Sequence, residues 1–320
     1  MTRARWGRCA AAVAVGALLA GCSSPPPRPA SSDRTPGAQS APDTPSALPT
    51  SGPVPLVAGV LDPRVPIEPN ARAVLGPPPG PKADQRPSRI AAPAQRFALL
   101  VGITHYQRPT HDTIGGAGDV RLFRSMLLEA GWLPQNVHVL TDAQATGVAL
   151  RAQLRWLAAH SRPGTFTLFH YSGHVMQLGG DHEALWPVNS DIVDDAALAA
   201  VLGNGRGRMW VDIAGCEADS FAAGLASPRV LFTGSSQTTQ KAYEYPPWGR
   251  SVWVGLLLDL GTRRRGADAD HDGRVSVGEA IRYARYYAQG ITLRQTPYGR
   301  QTPVVLGDRQ LGWTLADPPA

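Results

Sequence analysis

Apolar and polar positions fall into alternating blocks over the last two-thirds of the chain, and the blocks predict strands separated by helices. Phe97-Ala98-Leu99-Leu100-Val101-Gly102 is a short continuous apolar run, the pattern of a strand buried on both faces. From Asp119 onward, Phe123, Met126, Leu127 and Ala130 share one face of a helix that Gly131 ends. Val137 to Leu140 reads as a second strand. Thr146 is placed to cap a second helix whose Leu150, Leu154, Leu157 and Ala158 line one face. Thr165 to Tyr171, Met209 to Ile213 and Val230 to Thr233 read as further strands. Val252 to Leu260 reads as an apolar helix, a polar helix follows from about Ser276, and Pro303 to Leu306 suggests a last strand. This alternation argues for an α/β domain with a parallel sheet covered by helices on both faces. Reactive groups in such sheets gather where loops leave the C-terminal strand ends. The loops after Tyr171 and Ile213 therefore matter most.

The first 95 residues break the pattern. Of the 30 prolines, 19 lie between Cys22 and Gln95, leaving 11 for the 225 residues that follow. Such a stretch, padded with Ser, Ala and Gly, buries too little apolar surface to offset the ordering of its backbone. Residues 22–95 are expected to form a disordered tether, with Val54 to Val60 apolar enough to touch the folded domain. The domain is expected over 96–315, with a short tail at 316–320. Arg3, Arg5 and Arg8 precede an apolar run from Cys9 to Leu19 that is too short to span a bilayer and reads as a secretory signal over 1–21. The run closes with Leu19-Ala20-Gly21-Cys22, which resembles the lipobox of bacterial lipoproteins. That resemblance implies cleavage before Cys22, lipidation of Cys22, and a lipoprotein of the cell envelope. By the same resemblance, Ser23 after the anchor favours the outer membrane.

The charge changes little. The net charge of +6 comes from arginine, and the one basic run, Arg263-Arg264-Arg265, lacks the interleaved aromatics of a nucleic-acid surface. Three cysteines exclude a disulfide-stapled scaffold and a cysteine-rich zinc module. They also narrow the chemistry. Once the signal is removed and Cys22 acylated, Cys216 is the one thiol left.

The first strand-end loop reads Tyr171-Ser172-Gly173-His174, and the second reads Ala214-Gly215-Cys216-Glu217-Ala218-Asp219. If their strands are neighbours, His174 and Cys216 share an edge of the sheet, where an imidazole can convert a thiol to the nucleophilic thiolate. A lone cysteine is more commonly a small buried hydrophobe. A free thiol kept in an oxidising compartment, on a strand-end loop facing a histidine, favours catalysis. The other histidines lack a matching nucleophile loop.

At these residues the sequence resembles the bacterial caspase-like cysteine peptidases, close to metacaspases. The resemblance runs in order from about Arg96 to Leu315. It includes Ala98 to Ile103, Gly116-Ala117-Gly118-Asp119-Val120, the histidine motif Tyr171 to His174, Glu183 to Asp191, Cys216, Thr233-Gly234-Ser235-Ser236, Glu244 and Gln301-Thr302-Pro303. It implies a three-layer sandwich around a mostly parallel six-stranded sheet, and peptide-bond hydrolysis of a peptide or protein substrate without an organic cofactor. It further implies His174 and Cys216 as the dyad, the backbone N–H groups of Val175 and Cys216 as the oxyanion hole, and Ser172 and the position of Ala214 as parts of the substrate pocket. Two positions depart from the family. Val175 stands where Gly is usual, which reshapes the oxyanion hole. Ala214 stands where an Asp usually helps to hold a basic P1 side chain. These departures keep a second class in play, a catalytically weakened caspase-like module that binds peptides or partners. A purely structural lipoprotein leaves Cys216 and His174 unexplained.

Asp268 to Glu279 fits a twelve-residue EF-hand loop at every key position. Asp268, Asp270 and Asp272 supply carboxylates, Gly273 permits the turn, the Arg274 carbonyl is the seventh-position ligand, Ser276 or its water the ninth, and Glu279 chelates from the next helix. Hard oxygen donors at this spacing suit Ca²⁺. The plainer reading is an acidic helix-capping turn.

Overall fold

The computed structural model describes residues 55–64, 67, 88–293, 295, 299–307 and 312–315. All belong to one compact unit, Ser51–Ala320. The expectations for the signal at 1–21, for Cys22 and for the tail at 316–320 lie outside the described residues.

Six strands make the central sheet: β3 (Arg96–Gly102), β4 (Val137–Thr141), β5 (Phe166–Ser172), β9 (Arg208–Ala214), β10 (Val230–Gly234) and β13 (Val304–Leu306), in the spatial order β13-β10-β9-β5-β3-β4. All pairings are parallel except that of β10 with β13. This is the mixed α/β architecture with a mostly parallel six-stranded sheet that the resemblance implies.

The apolar strand runs do what two-faced burial requires. In β3, Ala98 and Leu100 enter one core with Phe123 and Leu127 of α1 (Gly116–Glu129) and with Ala284 and Tyr287 of α5 (Val277–Thr292). Leu99 and Val101 enter the opposite core with Leu150, Leu154 and Leu157 of α2 (Gly147–His160) and Leu198 of α3 (Asp195–Leu202). The period-two alternation of a strand thus serves both helical layers. Thr146 caps α2 by accepting from Ala149 N, as its position suggests. α1 begins at Gly116 rather than Asp119. There the helix start lies on the end of β3, and a Cβ on Gly116 would come 2.3 Å from the Ile103 backbone.

Three features depart from the sequence pattern. First, Leu56 and Gly59–Val60 (β1), in the stretch expected to touch the domain, pair with it as strands, and Ser88–Arg89 (β2), placed in the expected tether, joins the folded unit as well. β1 pairs with β11 (Tyr243–Tyr245), which also pairs with β12 (Arg250–Ser251), while β2 pairs with β14 (Trp313–Thr314). Leu61 and Ile90 are buried, and Arg96 Nε donates to Ala91 O at 2.8 Å. The proline average hid short apolar segments that extend an existing sheet edge and so need no core of their own. Second, the apolar helix predicted from Val252 is α-helical only over Val252–Val254 (α4) and continues as a π-helix over Gly255–Arg263. Gly255 lies under the Trp248 ring, and Thr262 Oγ1 donates to Leu257 O five residues back. Third, the chain after His174 forms a small antiparallel sheet that the pattern did not mark: β6 (Val175–Gly179), β7 (His182–Leu185) and β8 (Val193–Asp194).

One buried polar network ties the central strands to α4. Asp212 Oδ2 lies 2.7 Å from His170 Nδ1, while Oδ1 accepts from Thr233 Oγ1 at 2.5 Å and Trp253 Nε1 at 2.9 Å. Trp210 Nε1 donates to Thr233 Oγ1 at 2.8 Å. Asp212→Ala leaves these donors buried without an acceptor and is expected to cost about 3 kcal/mol or more. Urea unfolding measures this, and a loss below about 1 kcal/mol would show that the network contributes little.

Candidate active site

β5 and β9 are neighbours in register, with Ser172 opposite Ala214. Their loops therefore leave the same sheet edge side by side, and Gly173 N donates to Ala214 O at 3.3 Å. The cleft at that edge is lined by Ser172, His174, Ala214, Cys216, Glu244 and Ser251 among others. Four of the residues singled out in the sequence thus meet in one place. The fifth, Val175, follows His174 at the start of β6, and its Cγ2 would lie 2.6 Å from a Cβ on Gly215. The bulkier residue at 175 is accommodated because its neighbour across the loop is glycine.

The cysteine loop is clamped from β10. Ser235 Oγ accepts from Gly215 N at 2.9 Å and donates to Gly215 O at 2.6 Å, and Ser236 Oγ donates to the same carbonyl at 3.0 Å. Glu217, directly after Cys216, sits at φ 49, a left-handed conformation uncommon for a non-glycine residue. Cys216 is buried, and burial pushes its thiol up to about 11, with the Ala242 backbone opposing.

His174 is held from all sides. Its backbone N–H donates to Tyr106 Oη at 2.8 Å, its carbonyl accepts from Tyr171 Oη at 2.8 Å, and its ring lies 4.7 Å from that of Tyr106. Nε2 is 2.8 Å from His111 O and Nδ1 is 3.1 Å from Leu56 O. A neutral imidazole has one N–H and can donate to only one of these carbonyls. Burial holds its pKa below the usual histidine range. Burial thus favours the uncharged form of both groups.

Two carboxyl groups at the pocket had no site role in the sequence reading, Glu244 in its wall and Asp119 behind it. Asp119, noted there only as part of a helix start, is fully buried behind Ser172, whose Oγ donates to Asp119 Oδ2 at 2.7 Å. Ser251 N donates to its other oxygen at 3.1 Å, and burial pushes this carboxyl up to about 7. Glu244 accepts from Gly115 N at 2.6 Å and from Ile114 N at 2.9 Å, and burial raises its pKa too. An acidic residue inside an apolar helix face was the available signal for Asp119. Glu183, on β7, is a further buried acid; burial and the nearby Glu217 push it up to about 8, and neither carboxyl oxygen has a partner. A larger cavity of about 350 Å³, walled by Trp210, Leu257 and Val275, contains neither His174 nor Cys216 and so is not the site of this chemistry.

Among the six loop residues read as metal ligands, Asp268, Asp270 and Glu279 converge, with one oxygen of each within 4.8 Å of the others. Asp268 Oδ1 is buried without a partner, which fits a cation. Asp272 turns its Oδ1 to Arg274 N, while Ser276 caps α5 in a reciprocal box with Glu279. Gly273 has φ 80, as the sharp turn requires.

Residues 95–207 match the family described as Caspase domain, a stretch that includes His174 and ends nine residues before Cys216. Metacaspase-1 of Mycosarcoma maydis is 32% identical over 97 residues, covering 28% of this chain and 24% of that protein. Metacaspase-1 of Schizosaccharomyces pombe is 28% identical over 120 residues, covering 32% of this chain and 28% of that protein. Metacaspase-1 of Scheffersomyces stipitis is 30% identical over 120 residues, covering 32% and 30%. The chain spans less than a third of the length of these relatives. A solved structure from Geobacter sulfurreducens overlays with a TM-score of 0.49 at 16% identity, covering 66% of this chain and 92% of that one.

The thiol's high resting value gives a direct expectation. Alkylation of Cys216 by a small neutral electrophile should accelerate steadily with pH toward about 11, because burial disfavours the thiolate. Peptide mapping after timed alkylation measures it, and a rate already level near neutral pH would show a preformed thiolate instead. Over residues 95–207 the chain is thus similar to the caspase domain, and over about a third of its length to these metacaspases.

Proposed function

We propose that the protein is a cysteine-type endopeptidase that hydrolyses peptide bonds through a dyad of His174 and Cys216. The observation that carries the reading is the β5–β9 register, which puts an imidazole and the one described cysteine, unpaired, into a single cleft with a polar pocket. In the reaction, Cys216 Sγ bonds to the scissile carbonyl carbon as His174 takes the thiol proton. His174 returns that proton to the leaving amine as the C–N bond breaks. Water then attacks the thioester, giving its proton to His174, and the carboxylic acid leaves as the thiol is restored. The N–H groups of Val175 and Cys216 are the proposed donors to the oxyanion, each worth about 3 kcal/mol in such a hole.

Glu244 lines the pocket and Asp119 lies behind Ser172, while Lys241 and Glu217 are further charged groups acting on Cys216. The inferred preference for a basic P1 residue therefore rests on the Glu244 carboxyl in the pocket wall. Ala214 supplies no carboxylate there. The second reading, a weakened module that binds peptides without turning them over, draws on the raised thiol and on Val175. Turnover of a P1-randomised fluorogenic library, with Cys216→Ala as control, separates the two. The peptidase reading expects cleavage after Arg or Lys that falls to background in the control. Equal signals from both proteins, or equal labelling of both by a peptidyl electrophile, would overturn it.

Calcium belongs to the proposal as a brace. Asp268, Asp270 and Glu279 would hold Ca²⁺ by hard oxygens at the start of α5, with the Arg274 carbonyl, Ser276 and Asp272 completing the loop. The ion would neutralise their mutual repulsion and take no part in the chemistry. A lone loop binds weakly, so the melting temperature should rise by a few degrees at millimolar Ca²⁺ and not in Asp270→Ala. No shift in the unaltered protein would remove the site. Lipid anchoring at Cys22 to the cell envelope is part of the same proposal and rests on the sequence pattern alone.

A further inference from the structure

The cleft is already occupied by the chain itself. Leu56 N donates to Val175 O at 2.7 Å, and Leu56 O lies 3.1 Å from His174 Nδ1. Gly59 N donates to Ala242 O at 2.8 Å and Leu61 N to Glu244 O at 2.9 Å, so the segment continues along β11 as a parallel strand. Leu56 and Ala58 form part of the cleft wall beside Cys216, and the space left there is about 20 Å³, enough for a water molecule and not for a peptide.

We propose that residues 55–60 are an autoinhibitory strap, anchored in the core by Leu61, a resident peptide that takes the place of substrate and must lift before Cys216 can act. Three observations converge on it. The strap pairs with the outer edge of β11, the edge on which an extended substrate would add as a strand and whose carbonyls it would need. It also engages the ring nitrogen of the one histidine able to accept the thiol proton. Finally, from Leu56 to Val60 it is held largely by main-chain hydrogen bonds, with Val57 41% and Val60 56% exposed, while Leu61 stays anchored in the core, so the stretch before Leu61 can lift without opening it. The strap also describes what the groove accepts. Gly59 lies so close to the Tyr243 ring that a Cβ there would come within 2.6 Å, so the groove takes an extended peptide with a small residue opposite Tyr243. The inhibitory meaning of the strap rests on the peptidase reading of the cleft, whereas its occupancy does not.

The test uses the full chain with two variants, Gly59→Val, which sets a side chain against Tyr243, and Leu56→Pro, which deletes the donor to Val175 O. Alkylation of Cys216 by iodoacetamide, located by peptide mapping, should proceed at least tenfold faster in both. Unchanged rates in folded variants would overturn the strap. Hydrogen exchange on the unaltered protein is the second measurement and needs no variant. The amides of Leu56, Gly59 and Leu61 should be protected, and exchange at the rate of a free chain would also overturn it. Cleavage of an Arg-P1 peptide, followed in parallel, keeps the two readings apart. Faster alkylation with no cleavage in any protein leaves the strap standing and removes the peptidase. Cleavage equally fast in all three proteins retains the peptidase and removes the strap.

Discussion

The parallel register that sets Ser172 of β5 opposite Ala214 of β9 is the constraint on which the cleft depends. Parallel strands end at the same edge, so one hydrogen-bonded pairing decides that the two loops emerge together. The loops then have little freedom. Gly173 N is bonded to Ala214 O, Gly215 is held through both its N–H and its carbonyl by Ser235 and Ser236, and Val175 packs where any larger residue at 215 would collide. A slip of one residue between β5 and β9 would turn every side chain of one strand to the other face and break both cores. Packing on two faces of the sheet is thus what holds two loops in position.

Much of this was legible in the chain. The strand runs are nearly continuous apolar blocks, Thr146 and Ser276 announce helix starts, and Tyr171 to His174 and Ala214 to Cys216 follow their strands directly. The failures have physical reasons. Pro-rich composition speaks for an average, and β1 is two residues of a long segment, borrowing its hydrogen bonds from β11. The π-helix depends on how Gly255 meets Trp248, a tertiary contact that periodicity cannot register. Asp119 lies on the apolar face of its helix, so its burial could have been read locally, but nothing local says that its carboxyl ends behind Ser172. The small β6–β7–β8 sheet has mixed residues and a register shift between Gln177 and Gly179, so its alternation is broken at source.

The chemistry of the resting site follows from its dryness. Burial acts in opposite directions on an acid and a base, raising Cys216 and lowering His174, and both shifts favour the uncharged pair. A thiolate–imidazolium pair formed here would need its attraction to exceed two desolvation costs. Moving Leu56 away frees Nδ1 and admits water and substrate, which weakens both costs together. The strap in place and the raised thiol are thus two expressions of one condition, a cleft filled by the chain itself.

The same reasoning bears on Ala214. An aspartate there would stand in a cleft wall that already contains Glu244 and overlies Asp119, two carboxyls that burial has pushed up. A third acid in that volume would have to ionise against both, and like charges in so small a dry space raise one another further. Alanine avoids that repulsion, and the charge for a basic ligand then comes from the floor and side of the pocket. Under the proposed reading, a basic side chain entering beside Ser172 would favour the charged form of Asp119, because the incoming charge opposes the burial that raises this carboxyl.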